Sequence, residues 1–160
     1  MMIIIPGLIS GASLQQLQRQ LQKSRFIDGA YSAGPASSYQ KKLANDSQDQ
    51  QLTAAAGNIK ELLERNPMFR TMAIPRGVRS IVFNLYQEGM YYLDHTDHSI
   101  LPGRPPLRGD LSMTLFLTDP DSYAGGELVV NSDGPHEVSV KLPAGHAVVY
   151  DANTMHRSIL

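Results

Sequence analysis

Met90-Tyr91-Tyr92-Leu93-Asp94-His95-Thr96-Asp97 is the stretch from which the rest of the chain is read. On an extended strand residues i and i+2 point to one face. The spacing therefore predicts that His95 and Asp97 project together, with Tyr91 and Leu93 aligned behind them and Asp94 and Thr96 turned away. A further histidine, His156, is followed by Arg157 and lies too far along the chain to be a local neighbour. Only a strand returning beside the first brings it to the other two. Two imidazoles and one carboxylate fill one face of an octahedral ferrous ion and leave the opposite face open to ligands, so His95, Asp97 and His156 are the expected metal ligands of a catalytic iron site. The same donors plus water satisfy a four-coordinate zinc ion, although the H-x-D segment holds no glutamate to act as a general base.

Composition narrows the classes of function. The chain has 160 residues, a length that most simply forms one domain spanning 1–160. Fourteen Lys and Arg face fifteen Asp and Glu for a formal charge of −1, and no long run of one sign offers a footprint for nucleic acid or an anionic membrane. The expected partner is a small molecule or a protein side chain; the oligomeric state is not readable. Without cysteine there is neither a disulfide framework nor a thiolate metal site. The opening Met-Met-Ile-Ile-Ile-Pro-Gly has no basic segment before it, and no later stretch is long and apolar enough to span a bilayer. The expected location is the cytoplasm.

The pattern changes once along the chain. Residues 2–5 read as a short strand closed by Pro6-Gly7. Ser13-x-x-Gln16 has the form of a capping box, and Leu14, Leu17 and Leu21 continue it at helical spacing. Residues 28–45 carry Gly29, Gly34, Pro35 and several serines and read as irregular, a lid or a surface loop. A second helix is expected from about Ser47, with Leu52, Ala55, Ala56, Ile59, Leu62 and Leu63 as its apolar stripe and Asn66-Pro67 as its stop. After Pro75 the period shortens to extended runs at 78–86, 89–97, 110–118, 126–131, 136–142 and 145–151. Gly89, Pro102-Gly103, Asp119-Pro120, Gly125-Gly126, Asp133-Gly134 and Pro143-Ala144-Gly145 punctuate them, which is the cadence of a jelly roll. Helices followed by strands give an α+β fold, with helical support over about 1–75 and a jelly-roll core over about 76–160.

The runs Leu111 to Val130, Lys141 to Gly145 and Tyr150 to Arg157, together with the H-x-D segment, resemble the prolyl/lysyl-hydroxylase-type (PKHD) branch of the Fe(II)/2-oxoglutarate dioxygenases, bacterial members above all. The resemblance implies a double-stranded β-helix, cupin-like in shape, with Fe(II) held by His95, Asp97 and His156. It implies 2-oxoglutarate as co-substrate, release of succinate and CO2 on hydroxylation, and dependence on L-ascorbate. His98 and His146 stand where the family leads one to expect Asn and Asp. The family's 2-oxoglutarate-anchoring arginine is expected about ten residues past the second histidine, near position 166 and beyond Leu160, so a longer protein with further C-terminal strands is expected. Arg157 does not replace it, because the neighbour of His156 on a strand points to the opposite face.

Within these residues Tyr86, Tyr91 and Thr114 are the expected contacts to the co-substrate. Tyr91 shares the face of His95 if the strand alternates regularly, and Tyr86 takes over if Gly89 bulges it. Ser112, Thr114 and Phe116 share one face of the following strand. A cupin-like metal-binding module whose chemistry has lapsed is the alternative reading.

Overall fold

The computed structural model describes residues 1–30, 39–79, 81–131 and 135–160. Its elements run β1 (Met2–Ile5), α1 (Gly11–Lys23), β2 (Phe26–Asp28), β3 (Gln40–Lys41), β4 (Leu43–Asn45), α2 (Gln50–Arg65), α3 (Pro67–Ala73), β5 (Asn84–Leu85), β6 (Tyr91–His95), β7 (Ile100–Leu101), β8 (Leu107–Arg108), β9 (Leu111–Leu115), β10 (Leu128–Val130), β11 (Val138–Val140), β12 (Ala147–Asp151) and β13 (His156–Ile159). Two sheets carry the site: β1-β12-β9, and β11-β10-β13-β6-β3. Each ladder in them is antiparallel.

Strand β12 shows how the layers are ordered. Ala147, Val148, Val149 and Tyr150 are all buried, the mark of a strand covered on both faces. Ala147 and Val149 join Ile3, Ile5, Leu17, Leu52, Ile59 and Leu63 in a core between this sheet and the helices. Val148 and Tyr150 turn the other way and meet Phe116, Leu128, Val130 and Val140 inside the sandwich. The helices thus back one sheet, as expected, and leave the space between the sheets for the site.

Several local expectations give way to competing physics. Helix α1 begins at Gly11 after Ser10, whose side chain makes no capping bond, so Ser13 lies within the first turn. Helix α2 starts after Asp49 rather than at Ser47, because the Asp49 carboxylate accepts from the N–H groups of Gln51 and Leu52, both at 3.0 Å. Its buried stripe is Leu52, Ala55, Ile59 and Leu63, and Leu62 lies off it, 42% exposed. Asn66-Pro67 ends α2 and opens α3 at once: Asn66 accepts from Phe69 N–H, and proline suits a first turn that needs no donor.

The expected run 78–86 is reduced to β5 among the described residues. Residues 28–45 are not wholly irregular, since β2, β4 and β5 form a small sheet and β3 extends the larger one. Ala33-Gly34-Pro35 and Asp133-Gly134 lie outside the described residues. No helix among the described residues is long and apolar enough to cross a membrane.

Candidate metal centre

Three elements bring the donors together. β13 pairs directly with β6, setting His156 opposite His95, and their ring centroids lie 4.2 Å apart. Asp97 follows β6, where its backbone N–H donates to Ala152 O at 2.9 Å. Ala152 N–H in turn donates to Asp110 O at 3.0 Å, tying the loop before β13 to the start of β9. The Nε2 atoms of His95 and His156 each stand 3.7 Å from an Asp97 carboxylate oxygen, Oδ1 and Oδ2 respectively. One donor atom from each of the three lies within 4.8 Å of the others, a group that could hold a metal ion.

The outer nitrogens are anchored as well. His95 Nδ1 meets Leu93 O at 2.6 Å, and His156 Nδ1 meets Thr154 O at 2.9 Å. A carbonyl only accepts, so each Nδ1 carries the proton and each Nε2 presents its lone pair toward Asp97. Ser112 on β9 donates its hydroxyl to Asp97 Oδ2. Burial holds the His95 imidazole below its ordinary pKa; the Leu93 bond opposes this, and His156 reinforces it. The neutral, metal-ready form is the favoured one.

The register between β6 and β13 contains an irregularity that decides which aromatic faces the centre. His156 pairs with His95 and Ser158 with Tyr92, so two steps on β13 span three on β6. An extra residue on one strand is a β-bulge, and it reverses the alternation beyond it. Tyr92, not Tyr91, therefore lies against His95, with ring centroids 3.5 Å apart and planes 10° from parallel. The expected alignment of Tyr91 with His95 is thereby corrected. The bulge sits at Leu93–Asp94 rather than Gly89, and the Leu93 carbonyl turned toward the imidazole belongs to it.

The other expected residues fall as follows. Tyr86 is half-buried, and its phenol is pushed well above the ordinary value by burial, then by Tyr92 and Tyr150. Those neighbours place it at the same aromatic group. The Thr114 hydroxyl faces the Tyr150 phenol and opposes the rise in its pKa that burial and then Asp97 impose, and the Tyr150 ring meets His156 edge-on at 5.0 Å. Arg157 turns outward to Glu137 at 2.9 Å and Asp94 at 3.4 Å.

Two residues near the centre escaped the sequence reading. Tyr150 is one, readable in principle as the inward aromatic of an alternating strand. Lys42 is the other: its Nζ stands 4.5 Å from the Tyr92 ring centroid. Burial lowers its pKa to about 8 against an opposing pull from Asp97. No spacing rule links position 42 to position 95.

Residues 81–158 match the model of the 2OG-Fe(II) oxygenase superfamily. A PKHD-type hydroxylase of Xanthomonas euvesicatoria is 40% identical over 163 residues, covering 98% of this chain and 71% of the relative. The chain belongs to the PKHD-type hydroxylases. Another of them, from Phenylobacterium zucineum, is 39% identical over 161 residues, covering 98% of this chain and 70% of its own.

Among solved structures, a prolyl-4-hydroxylase of Pseudomonas putida superposes with a TM-score of 0.64 at 16% identity, covering 99% of this chain and 84% of that one. HygX of Streptomyces hygroscopicus, solved with nickel and 2-oxoglutarate bound, gives 0.59 at 14% identity, with 99% and 76% covered. Both likenesses establish the double-stranded β-helix. The PKHD-type membership makes the protein a hydroxylase of the 2OG-Fe(II) oxygenase superfamily.

Proposed function

We propose that His95, Asp97 and His156 ligate Fe(II), and that the protein couples conversion of 2-oxoglutarate and O2 into succinate and CO2 to hydroxylation of a small molecule or a protein side chain. One observation carries this reading: both Nε2 lone pairs converge on one carboxylate, while each Nδ1 is tied to a carbonyl two residues earlier in the chain. Two neutral imidazoles and one carboxylate suit a ferrous ion, because a single negative charge leaves the ion electrophilic and half its coordination sphere free. When bound, the metal and 2-oxoglutarate supply the oxidising chemistry, and the protein supplies geometry and shelter.

The residues of this chain have separable tasks. Ser112 orients the Asp97 carboxylate through its hydroxyl. Tyr92 and Tyr150 wall the imidazoles on two sides and keep water from their faces. Tyr86 and Thr114 remain the candidates to hold the co-substrate, with their hydroxyls as neutral donors; the raised pKa of Tyr86 keeps that phenol protonated at neutral pH. Tyr91 is the weaker candidate, given the bulge. L-ascorbate belongs to the reading as the reductant that restores the ferrous state.

Calorimetric titration of Mn(II), a redox-stable stand-in, into wild type and the His95→Ala, Asp97→Ala and His156→Ala variants tests the ligand set. One site in the wild type and sharply weaker binding in each variant is expected. Unchanged stoichiometry and affinity in all three would remove these residues as ligands. Succinate formation from 2-oxoglutarate with Fe(II) and ascorbate tests the reaction.

A further inference from the structure

The strip of sheet beyond Tyr92 holds two polar side chains that the chemistry above does not use. β3 is the edge strand next to β6, and Gln40 lies directly opposite Tyr92. Directly paired residues share a face, so Gln40 belongs to the face that carries Tyr92 and His95. Lys42, two residues on, returns to that face, as its position over the Tyr92 ring bears out. One aromatic ring thus separates the ammonium from an imidazole of the metal centre.

Both side chains lack something. Gln40 is 9% exposed; its Nε2 donates to Gly29 O at 2.9 Å, while its Oε1 is buried with no hydrogen-bond partner among the described residues. Lys42 is largely withdrawn from water, and among the described residues no carboxylate forms an ion pair with it. Two other cations of this sheet or its flanks are matched, Arg157 by Glu137 and Asp94 and Lys141 by Glu127 at 4.0 Å, while Lys41 on β3 is exposed to water. Asp97 attracts the ammonium only from a distance and does not offset its burial; a sheltered charge with no direct ion pair is costly, and an anion delivered by a ligand relieves that cost.

We propose that Lys42 is the receptor for a carboxylate at the mouth of the metal centre, with Gln40 Oε1, on the same face of the sheet, as an acceptor for an N–H or O–H of the same ligand. The proposal rests on the reading of His95, Asp97 and His156 as metal ligands. The carboxylate has two sources, the distal end of 2-oxoglutarate or an acidic group on the molecule to be hydroxylated.

The test uses wild type, Lys42→Met and Lys42→Arg, each loaded with Mn(II), whose affinity is measured first by electron paramagnetic resonance of the free ion. 2-Oxoglutarate is titrated against 2-oxopentanoate, which keeps the chelating 2-oxo acid and lacks the distal carboxylate. N-acetylglutamate is then titrated against N-acetylglutamine on the Mn(II)–2-oxoglutarate complex. Lys42→Met should keep its Mn(II) affinity and lose about tenfold or more of the preference for the acid in one pair, and Lys42→Arg should restore part of it. Loss in the first pair assigns Lys42 to the co-substrate, and loss in the second to the substrate. A wild type with no preference in either pair, or a Lys42→Met variant that keeps its preferences, overturns the proposal. Failure of the wild type to take up Mn(II) overturns the metal reading, and this proposal with it.

Discussion

Replacing Lys42 by methionine should stabilise the protein at neutral pH, and the gain should shrink as pH rises. Burial lowers the lysine from 10.5 to about 8 in the folded state. Below pH 8 both folded and unfolded chains hold the proton, and the full cost of sheltering the charge is present. Between about 8 and 10.5 the unfolded chain binds more protons than the native one, so wild-type stability rises with pH. At about 1.36 kcal/mol per pH unit, the gap amounts to about 3 kcal/mol, an upper figure because the loss of the ammonium over the Tyr92 ring offsets it by ~0.5–1 kcal/mol.

Methionine keeps the length and apolar stem without the charge. Urea unfolding of both proteins at pH 7, 8, 9 and 10 gives the difference directly. Groups that titrate alike in both proteins cancel. A stability difference that stayed flat from pH 7 to 10 would refute the argument, because it would mean that Lys42 ionises in the fold as it does in water.

Other perturbations separate support from chemistry. Ile59→Ala, at a position 1% exposed in the core between helices and sheet, should cost ~2–5 kcal/mol in denaturant unfolding, with Mn(II) affinity of the folded protein unchanged. Leu62→Ala, three residues on and 42% exposed, should stay within about 0.5 kcal/mol in the same assay. Gly145→Ala should lower the thermal midpoint markedly, since φ is +87° and an added Cβ would meet Ile9 O at 2.1 Å; an unchanged midpoint would mean that the turn is not held as described. Ser112→Ala removes the hydroxyl that orients Asp97 and should weaken Mn(II) binding by about 10- to 100-fold, read by calorimetry with the fold checked by circular dichroism.

The sequence shows most plainly those features that one strong interaction settles. β12 reads as a continuous apolar run because both its faces are covered. The stripe of α2 follows its period because a single face is buried, and Leu62 was misread because two adjacent leucines cannot both occupy the centre of that face. Helix starts were displaced where several acceptors compete: Ser47 and Asp49 both suit an N-cap, and the charged Asp49 makes the bonds. The short strands β3 and β4 left little trace, since two or three residues carry no period. The pair Gln40 and Lys42 was accordingly invisible, because its meaning depends on Tyr92, at least fifty positions away.

The candidate metal centre and its aromatic wall show the difference between pattern and register. His95 and Asp97 were legible because their relation is local and the donor chemistry restrictive. His156 was legible through its flanks, and the topology then set it opposite His95. The choice between Tyr91 and Tyr92 was not legible, because a strand of period two gives the same answer at every step until an extra residue intervenes. Nothing in Tyr91-Tyr92-Leu93-Asp94 distinguishes a bulged from a regular strand by side-chain type. The cause lies in the backbone: the Leu93 carbonyl turns to hold His95 Nδ1 at 2.6 Å, and the extra step that comes with it carries Tyr92 onto the face of the imidazole. One irregularity therefore fixes the tautomer of a candidate metal ligand, selects the ring that stacks on it, and sets Gln40, through pairing with Tyr92, and Lys42, over the same ring, on the face that a ligand would meet.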